Sequence, residues 1–150
     1  MSPNRPAAVV VLAAGEGTRM RSATPKVLHP ICGRSLIGHA VAASRALEPD
    51  HLVVVVGHGR ERVSEHLTAL DPGAVIAVQS EQKGTGHAVR TGLEELVRQG
   101  VTPDGTVVVT YGDVPLLTVE TLAALVDAHE TGGHEVTVLV PIDRCSRDGP

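Results

Sequence analysis

The apolar residues of this chain form short runs that alternate with stretches of helical spacing. The runs are rich in valine and other aliphatic residues, and we predict strands at residues 7–12, 52–56, 74–78, 106–110 and 135–140. Nearly continuous apolar runs are typical of parallel strands that are covered on both faces. The pattern therefore favours a buried parallel sheet.

Four intervening stretches carry apolar residues at the three- and four-residue spacing of amphipathic helices. Two of them follow the predicted N-caps Ser35 and Thr118, and the others cover residues 60–70 and the stretch after the 79–84 loop. This alternation predicts an α/β fold with a doubly wound, mostly parallel sheet and helices on both faces. The loops after the strands should then share one edge of the sheet.

Composition excludes some classes of function. The 150 residues predict one domain, and they carry a formal net charge of −4 and one aromatic residue, Tyr111. These values argue against a nucleic-acid surface, and no apolar run approaches the ~20 residues that cross a membrane. The two cysteines, Cys32 and Cys145, form neither a C-x-x-C motif nor a disulfide framework, which indicates a reduced, cytoplasmic protein.

The loop after the first predicted strand has the composition of a phosphate-binding turn. Gly15 and Gly17 would let an anion approach backbone N–H groups, and Arg19 and Lys26 could hold phosphates. No Walker motif is present, and Met20 stands where the dinucleotide fingerprint needs its third glycine. From the residues alone, the alternative that these glycines only turn the strand into a helix stays open.

Two later loops add complementary chemistry. The amide of Gln79 has the donor and the acceptor that pair with uracil, and Asp113 follows a predicted buried strand as a magnesium anchor would. The residues alone equally allow a solvated Gln79, an Asp113 that caps a turn, and a Tyr111 that only packs. His87 lies beside this site at a predicted helix start, without an assigned role.

Together the three loops resemble the sugar-nucleotide pyrophosphorylases, and in detail their N-acetylglucosamine-1-phosphate uridylyltransferase branch. The matching stretches are L-A-A-G-x-G-T-R-M with Pro25 and Lys26, Q-x-x-x-x-G-T-G-H-A from Gln79, and Y-G-D-V-P-L from Tyr111. The resemblance covers residues 7–143. It implies a Rossmann-like nucleotidyltransferase fold and a magnesium-dependent reaction in cell-wall precursor synthesis. UTP and N-acetylglucosamine 1-phosphate would give UDP-N-acetylglucosamine and pyrophosphate.

The resemblance also implies a role for each matched residue. Arg19 and Lys26 would be the catalytic contacts to phosphate, and Asp113 would bind Mg²⁺. The implied substrate contacts are Leu12, Ala13, Ala14, Gly15, Lys26, Gln79, Gly84, Thr85, Tyr111, Gly112 and Asp113.

Residues 144–150 depart from the family pattern. Family members continue into a Gly-Tyr-Gly-Arg turn, sugar contacts and a second metal ligand. Bacterial members of the uridylyltransferase branch usually carry an acetyltransferase β-helix domain as well. We therefore expect residues 1–150 to form the nucleotide-binding part of a single nucleotidyltransferase domain, incomplete at its C-terminus, with weak or no turnover. The alternatives are a UTP-binding module without turnover and a related transferase that uses another nucleotide. Oligomerisation is not indicated by these residues.

Overall fold

The structure of the protein is a computed structural model that describes residues 5–15, 22–57 and 60–140. The elements in chain order are β1 (Ala8–Ala13), a 3-10 helix (Lys26–Leu28), β2 (Pro30–Ile31), β3 (Arg34–Ser35), α1 (Leu36–Arg45), β4 (His51–Val56), α2 (Arg60–Leu70), β5 (Val75–Val78), α3 (Thr85–Arg98), β6 (Val107–Tyr111) and α4 (Val119–Gly132). The first four predicted strands and the four predicted helices are all present. Each of those strand boundaries lies within one residue of its predicted position.

Four of the strands form one parallel sheet in the order β5-β4-β1-β6. The central strand, β1, pairs with β4 through Ala8 opposite His51 and with β6 through Ala8 opposite Val107. All six residues of β1 are buried, which explains its unbroken apolar run. Because the strands are parallel, the loops that follow them reach the same edge of the sheet.

Helices cover both faces of this sheet. Val9 and Val11 of β1 pack in a cluster with Ile37 of α1, and residues of α2 and α4 belong to the same cluster. Val10, which points to the opposite face, packs in a second cluster with Leu96 of α3. This division between alternating residues confirms the predicted doubly wound α/β fold.

Capping side chains fix where two helices begin. The Ser35 hydroxyl accepts a hydrogen bond from the Gly38 N–H at 3.1 Å, and Thr118 accepts from the Thr121 N–H at 3.4 Å. The pKa of Glu120, in the first turn of α4, is lowered mainly by a hydrogen bond to the backbone and further by a hydrogen bond to the Thr118 side chain. Both predicted N-caps are therefore confirmed.

The strand predicted for residues 135–140 is wrong. Within the described residues, 134–140 form no strand, and the segment lies beside α4 with Thr137 Oγ1 3.0 Å from His129 Nδ1. Val136 and Val138 are 78% and 72% exposed. An apolar run becomes a strand only where a neighbouring strand supplies hydrogen bonds, and no described strand pairs with this one.

The sequence reading also missed a short hairpin. Strands β2 and β3 pair antiparallel, and the turn between them places Cys32 and Gly33 at φ values of +49° and +78°. Cys32 is a free, exposed thiol at this turn. None of the helices that the structure describes is long and apolar enough to span a bilayer.

Candidate active site

The loops at the carboxyl ends of β1, β5 and β6 line a cavity of about 650 Å³. Most of the predicted site residues lie on its wall: Leu12, Ala13, Ala14, Gly15, Lys26, Gln79, Gly84, Thr85, Tyr111 and Asp113. Gly112 sits between two of these residues, and its N–H donates to the Leu12 carbonyl at 2.8 Å. Arg19, with Gly17, lies outside the described residues.

Small residues let these loops approach one another. A Cβ atom on Gly57, directly after β4, would lie 2.8 Å from the Ala14 carbonyl oxygen. A Cβ atom on Gly112, directly after β6, would lie 3.2 Å from the Ala13 Cβ. Glycine therefore stands on both sides of the end of β1, where a side chain would push the neighbouring loops away.

Two opposite charges meet at one side of the cavity. Lys26 Nζ lies 2.6 Å from Asp113 Oδ2, and the two side chains are 39% and 34% exposed. Lys26 belongs to the 3-10 helix, whose residue Val27 is buried in the hydrophobic cluster that contains Val9 and Ile37. A partly exposed pair of this kind contributes only ~0–1 kcal/mol. Each side chain could therefore release the other and bind a ligand instead. Lys26 could bind an anion, and Asp113 could bind a cation.

Gln79 is held at the end of β5. Its backbone N–H donates to the Val56 carbonyl at 2.8 Å, and the residue is only 5% exposed. Its side-chain nitrogen lies 2.7 Å from His87 Nδ1 and 3.5 Å from the Gly84 carbonyl oxygen. The solvated-loop alternative for Gln79 is therefore wrong. Tyr111 is 48% exposed and lies on the cavity wall.

Three wall residues were not among the predicted site residues. Val27, Gln82 and Ala88 also line the cavity. Gln82 donates through its side-chain nitrogen to the Ala14 carbonyl at 2.7 Å and so ties the loop after β5 to the end of β1. The only sign of this role in the sequence was that Gln82 lies between the motif residues Gln79 and Gly84. Its partner, Ala14, is 68 residues away in sequence.

The metal-binding capacity of the site rests on one carboxylate. Within the described ranges, three or more His, Cys, Asp or Glu side chains nowhere cluster as a metal site would require. A single carboxylate such as that of Asp113 is compatible with Mg²⁺. This ion takes one or two carboxylates, keeps several waters and completes its shell with phosphate oxygens. The donor chemistry therefore suits a hard cation that arrives with a phosphate ligand.

Comparison with known proteins identifies the family. Residues 9–146 match the MobA-like NTP transferase domain. The chain belongs to this family. The domain is 67% identical over 139 residues to the bifunctional protein GlmU of Streptomyces avermitilis, and 63% identical over the same length to that of Thermobifida fusca. Each match covers 93% of this chain, and the chain spans 28% and 29% of the lengths of these relatives.

Solved structures agree with this family. Rv0371c from Mycobacterium tuberculosis is 29% identical with a TM-score of 0.66, and the match covers 85% of this chain and 62% of that chain. A manganese complex of Rv0371c is 28% identical with a TM-score of 0.61, covering 83% and 59% of the two chains. The predicted nucleotidyltransferase fold is confirmed, as is the resemblance to the N-terminal part of the bifunctional family.

Proposed function

We propose that residues 1–150 supply the nucleotide-binding part of a nucleotidyltransferase domain. The reaction joins UTP and N-acetylglucosamine 1-phosphate to give UDP-N-acetylglucosamine and pyrophosphate, with Mg²⁺. The GlmU relatives and the matching NTP transferase domain support this reaction. The product would enter cell-wall precursor synthesis in the cytoplasm, where a free thiol such as that of Cys32 stays reduced.

The observation that supports the proposal is the distance between Gln79 and the Lys26–Asp113 pair along one edge of the sheet. Gln79 follows β5, whereas Asp113 follows β6, and β4 and β1 lie between these strands. Three strand spacings amount to about 14 Å. An extended nucleotide would thus place uracil at the Gln79 side of the cavity and its phosphates at the Lys26 side.

The chemistry proposed is an in-line displacement. An oxygen of the sugar phosphate attacks the α-phosphorus of UTP, a new P–O bond forms, and the bond to the bridging oxygen breaks to release pyrophosphate. Lys26 would leave Asp113 and donate hydrogen bonds to phosphate oxygens, and Arg19 is proposed to do the same. Backbone N–H groups near Gly15 would hold the remaining oxygens. No covalent intermediate is needed, because positioning and charge stabilisation lower the barrier.

Asp113 would hold the metal ion once Lys26 has turned to the phosphates. When bound, Mg²⁺ would neutralise part of the charge on the transferring phosphates. Tyr111 and Gly112 would line the space between nucleotide and sugar phosphate.

The test is a set of titrations and a turnover assay on the purified chain. We expect UTP to bind more tightly than CTP or GTP, and Mg²⁺ to tighten the binding of UTP. Release of pyrophosphate upon addition of the sugar phosphate separates a transferase from a UTP-binding module. Equal affinity for all three nucleotides would contradict the proposed substrate.

Asp113→Asn tests the metal role separately. Asparagine keeps the shape of the side chain but removes the charge that a hard cation prefers, so Mg²⁺ should no longer tighten UTP binding. The matched control is Asp104→Asn, an exposed aspartate that precedes β6 while Asp113 follows it. Unchanged magnesium dependence in Asp113→Asn would remove Asp113 from the metal site.

A further inference from the structure

The side-chain amide of Gln79 has a defined orientation. Its nitrogen lies 3.5 Å from the Gly84 carbonyl oxygen, which can only accept a hydrogen bond. The same nitrogen lies 2.7 Å from His87 Nδ1. Because an amide nitrogen only donates, Nδ1 must be the acceptor, and the imidazole carries its hydrogen on Nε2. The shorter bond, to His87, is the main restraint on the amide.

The His87 imidazole is held by helix α3 rather than by the loop that follows β5. His87 lies in the first turn of α3, and its carbonyl oxygen accepts the Thr91 hydroxyl at 2.9 Å. The next residue, Ala88, is buried against the sheet, and its N–H donates to the Gly84 carbonyl at 3.1 Å. The acceptor atom that faces Gln79 is therefore fixed relative to β5.

This orientation directs the oxygen of the Gln79 amide away from His87. Among the described residues, that oxygen has no hydrogen-bond partner, so it is the atom left to meet a ligand. Uracil presents an N3–H donor between two carbonyl groups, whereas cytosine presents an N3 lone pair at the same place. An outward oxygen therefore attracts uracil and repels cytosine, and a flipped amide would reverse this preference.

We propose that His87 is a positioning residue that makes the cavity select uracil over cytosine. It acts through Gln79, by accepting the hydrogen bond that keeps the amide oxygen pointing toward the base. The inference rests on the proposed function, because it assumes that the base of a nucleoside triphosphate binds beside Gln79.

The experiment compares two substitutions at this position. His87→Phe keeps a flat ring but removes the Nδ1 acceptor, and it should lower the preference for UTP over CTP by about fivefold or more, the value of one hydrogen bond. His87→Asn offers a side-chain oxygen close to the place of Nδ1, and it should retain most of the preference. Affinity for inorganic tripolyphosphate should not change in either variant, because His87 lies at the base side.

A double-mutant comparison tests whether the effect passes through Gln79. Gln79→Ala should itself blur the discrimination between UTP and CTP, and adding His87→Phe should then change the ratio no further. A purely structural role for His87 would lower both affinities alike and would add to the effect of Gln79→Ala. Nitrogen chemical shifts of the His87 ring provide a readout without substitution, and we expect the Nε2–H tautomer.

The outcomes distinguish this inference from the function on which it rests. A parent chain that binds no UTP, or that prefers CTP, overturns the proposed function and the role of His87 with it. A parent that prefers UTP, together with a folded His87→Phe variant of unchanged preference, overturns only the role of His87. If His87→Phe does not fold, two other results would overturn the role of His87. One is an Nδ1–H tautomer in the parent, and the other is loss of the UTP preference in His87→Asn.

Discussion

Among the single residues of the site, Lys26 and Asp113 form an ion pair that is partly exposed to solvent. Their atoms meet at 2.6 Å, yet more than a third of each side chain is exposed. Solvent screening therefore keeps the pair weak. A triphosphate offers Lys26 several oxygens in place of one carboxylate, so the nucleotide should win this competition.

Lys26→Ala should weaken UTP far more than uridine, because Lys26 lies on the side of the cavity that we propose for the phosphates. Charge-assisted hydrogen bonds contribute about 1.5–3 kcal/mol, so the loss for UTP should be about tenfold or more. Isothermal titration of both ligands measures the difference. The control is Lys83→Ala, which removes the same charge from a lysine that pairs with Glu81 and does not line the cavity. Equal weakening of UTP and uridine would contradict a phosphate contact.

Some site residues were predictable from the sequence, whereas the contacts between them were not. Loop position and chemistry made Lys26, Gln79 and Asp113 candidates, and the family resemblance supplied the role predicted for each of them. The bond from Gln82 to the Ala14 carbonyl could not be predicted, because it depends on the distance between two loops on separate strands. The bond between Gln79 and His87 depends likewise on the turn that starts α3.

At the scale of elements, α3 lies unusually close to the sheet at Gly92. A Cβ atom there would stand 3.0 Å from Val55 Cγ2, 3.2 Å from Val10 Cγ1 and 3.3 Å from Val53 Cγ1. All three valines are fully buried in paired strands, so they have little room to move. The close approach matters for the site because α3 begins with Thr85 and carries His87.

Gly92→Ala should lower the free energy of unfolding by about 1 kcal/mol. Overpacking costs about 1–3 kcal/mol, and the higher helix propensity of alanine returns up to ~1 kcal/mol. Urea denaturation measures the change. Gly86→Ala is the matched control in the same helix, since its Cβ atom would meet nothing within 4 Å, and it should not destabilise the protein. A Gly92→Ala variant as stable as the Gly86→Ala variant would mean that α3 can shift freely on the sheet.

Elements with a clear periodicity were predictable, whereas the partner of each strand was not. Helix α2 matches its predicted range of residues 60–70, because its amphipathic spacing has clear ends. Residues 135–140 carry a strand-like pattern, but strand formation also needs a partner that sequence alone does not supply. The β2–β3 hairpin is only two residues long on each side, too short to produce a periodic signal.

At the scale of the whole molecule, a nucleotide would connect loops that belong to three strands of one sheet. The cavity wall includes residues after β1, β5 and β6, so unfolding of any of these strands would destroy the site. At a UTP concentration 100 times the dissociation constant, binding should add about 2.7 kcal/mol to stability. For a domain of this size, the melting temperature should rise by about 5–10 °C.

Thermal unfolding with UTP and Mg²⁺, compared with Mg²⁺ alone, checks this expectation. CTP at the same concentration serves as the control and should raise the melting temperature less. If UTP binds by titration and yet leaves the melting temperature unchanged, the loops open independently of the sheet.

The strand order β5-β4-β1-β6 also has a consequence in time. Strand β1 is made first, but its partner β6 follows about a hundred residues later, as the pairing of Ala8 with Val107 requires. At ~5–20 residues per second, one edge of β1 waits about 5–20 s for its neighbour during synthesis. Throughout that interval a fully apolar strand presents unpaired N–H and C=O groups to other nascent chains. The risk of aggregation is therefore expected in the seconds before Val107 is synthesised. Slower translation of residues 57–106 would lengthen this interval.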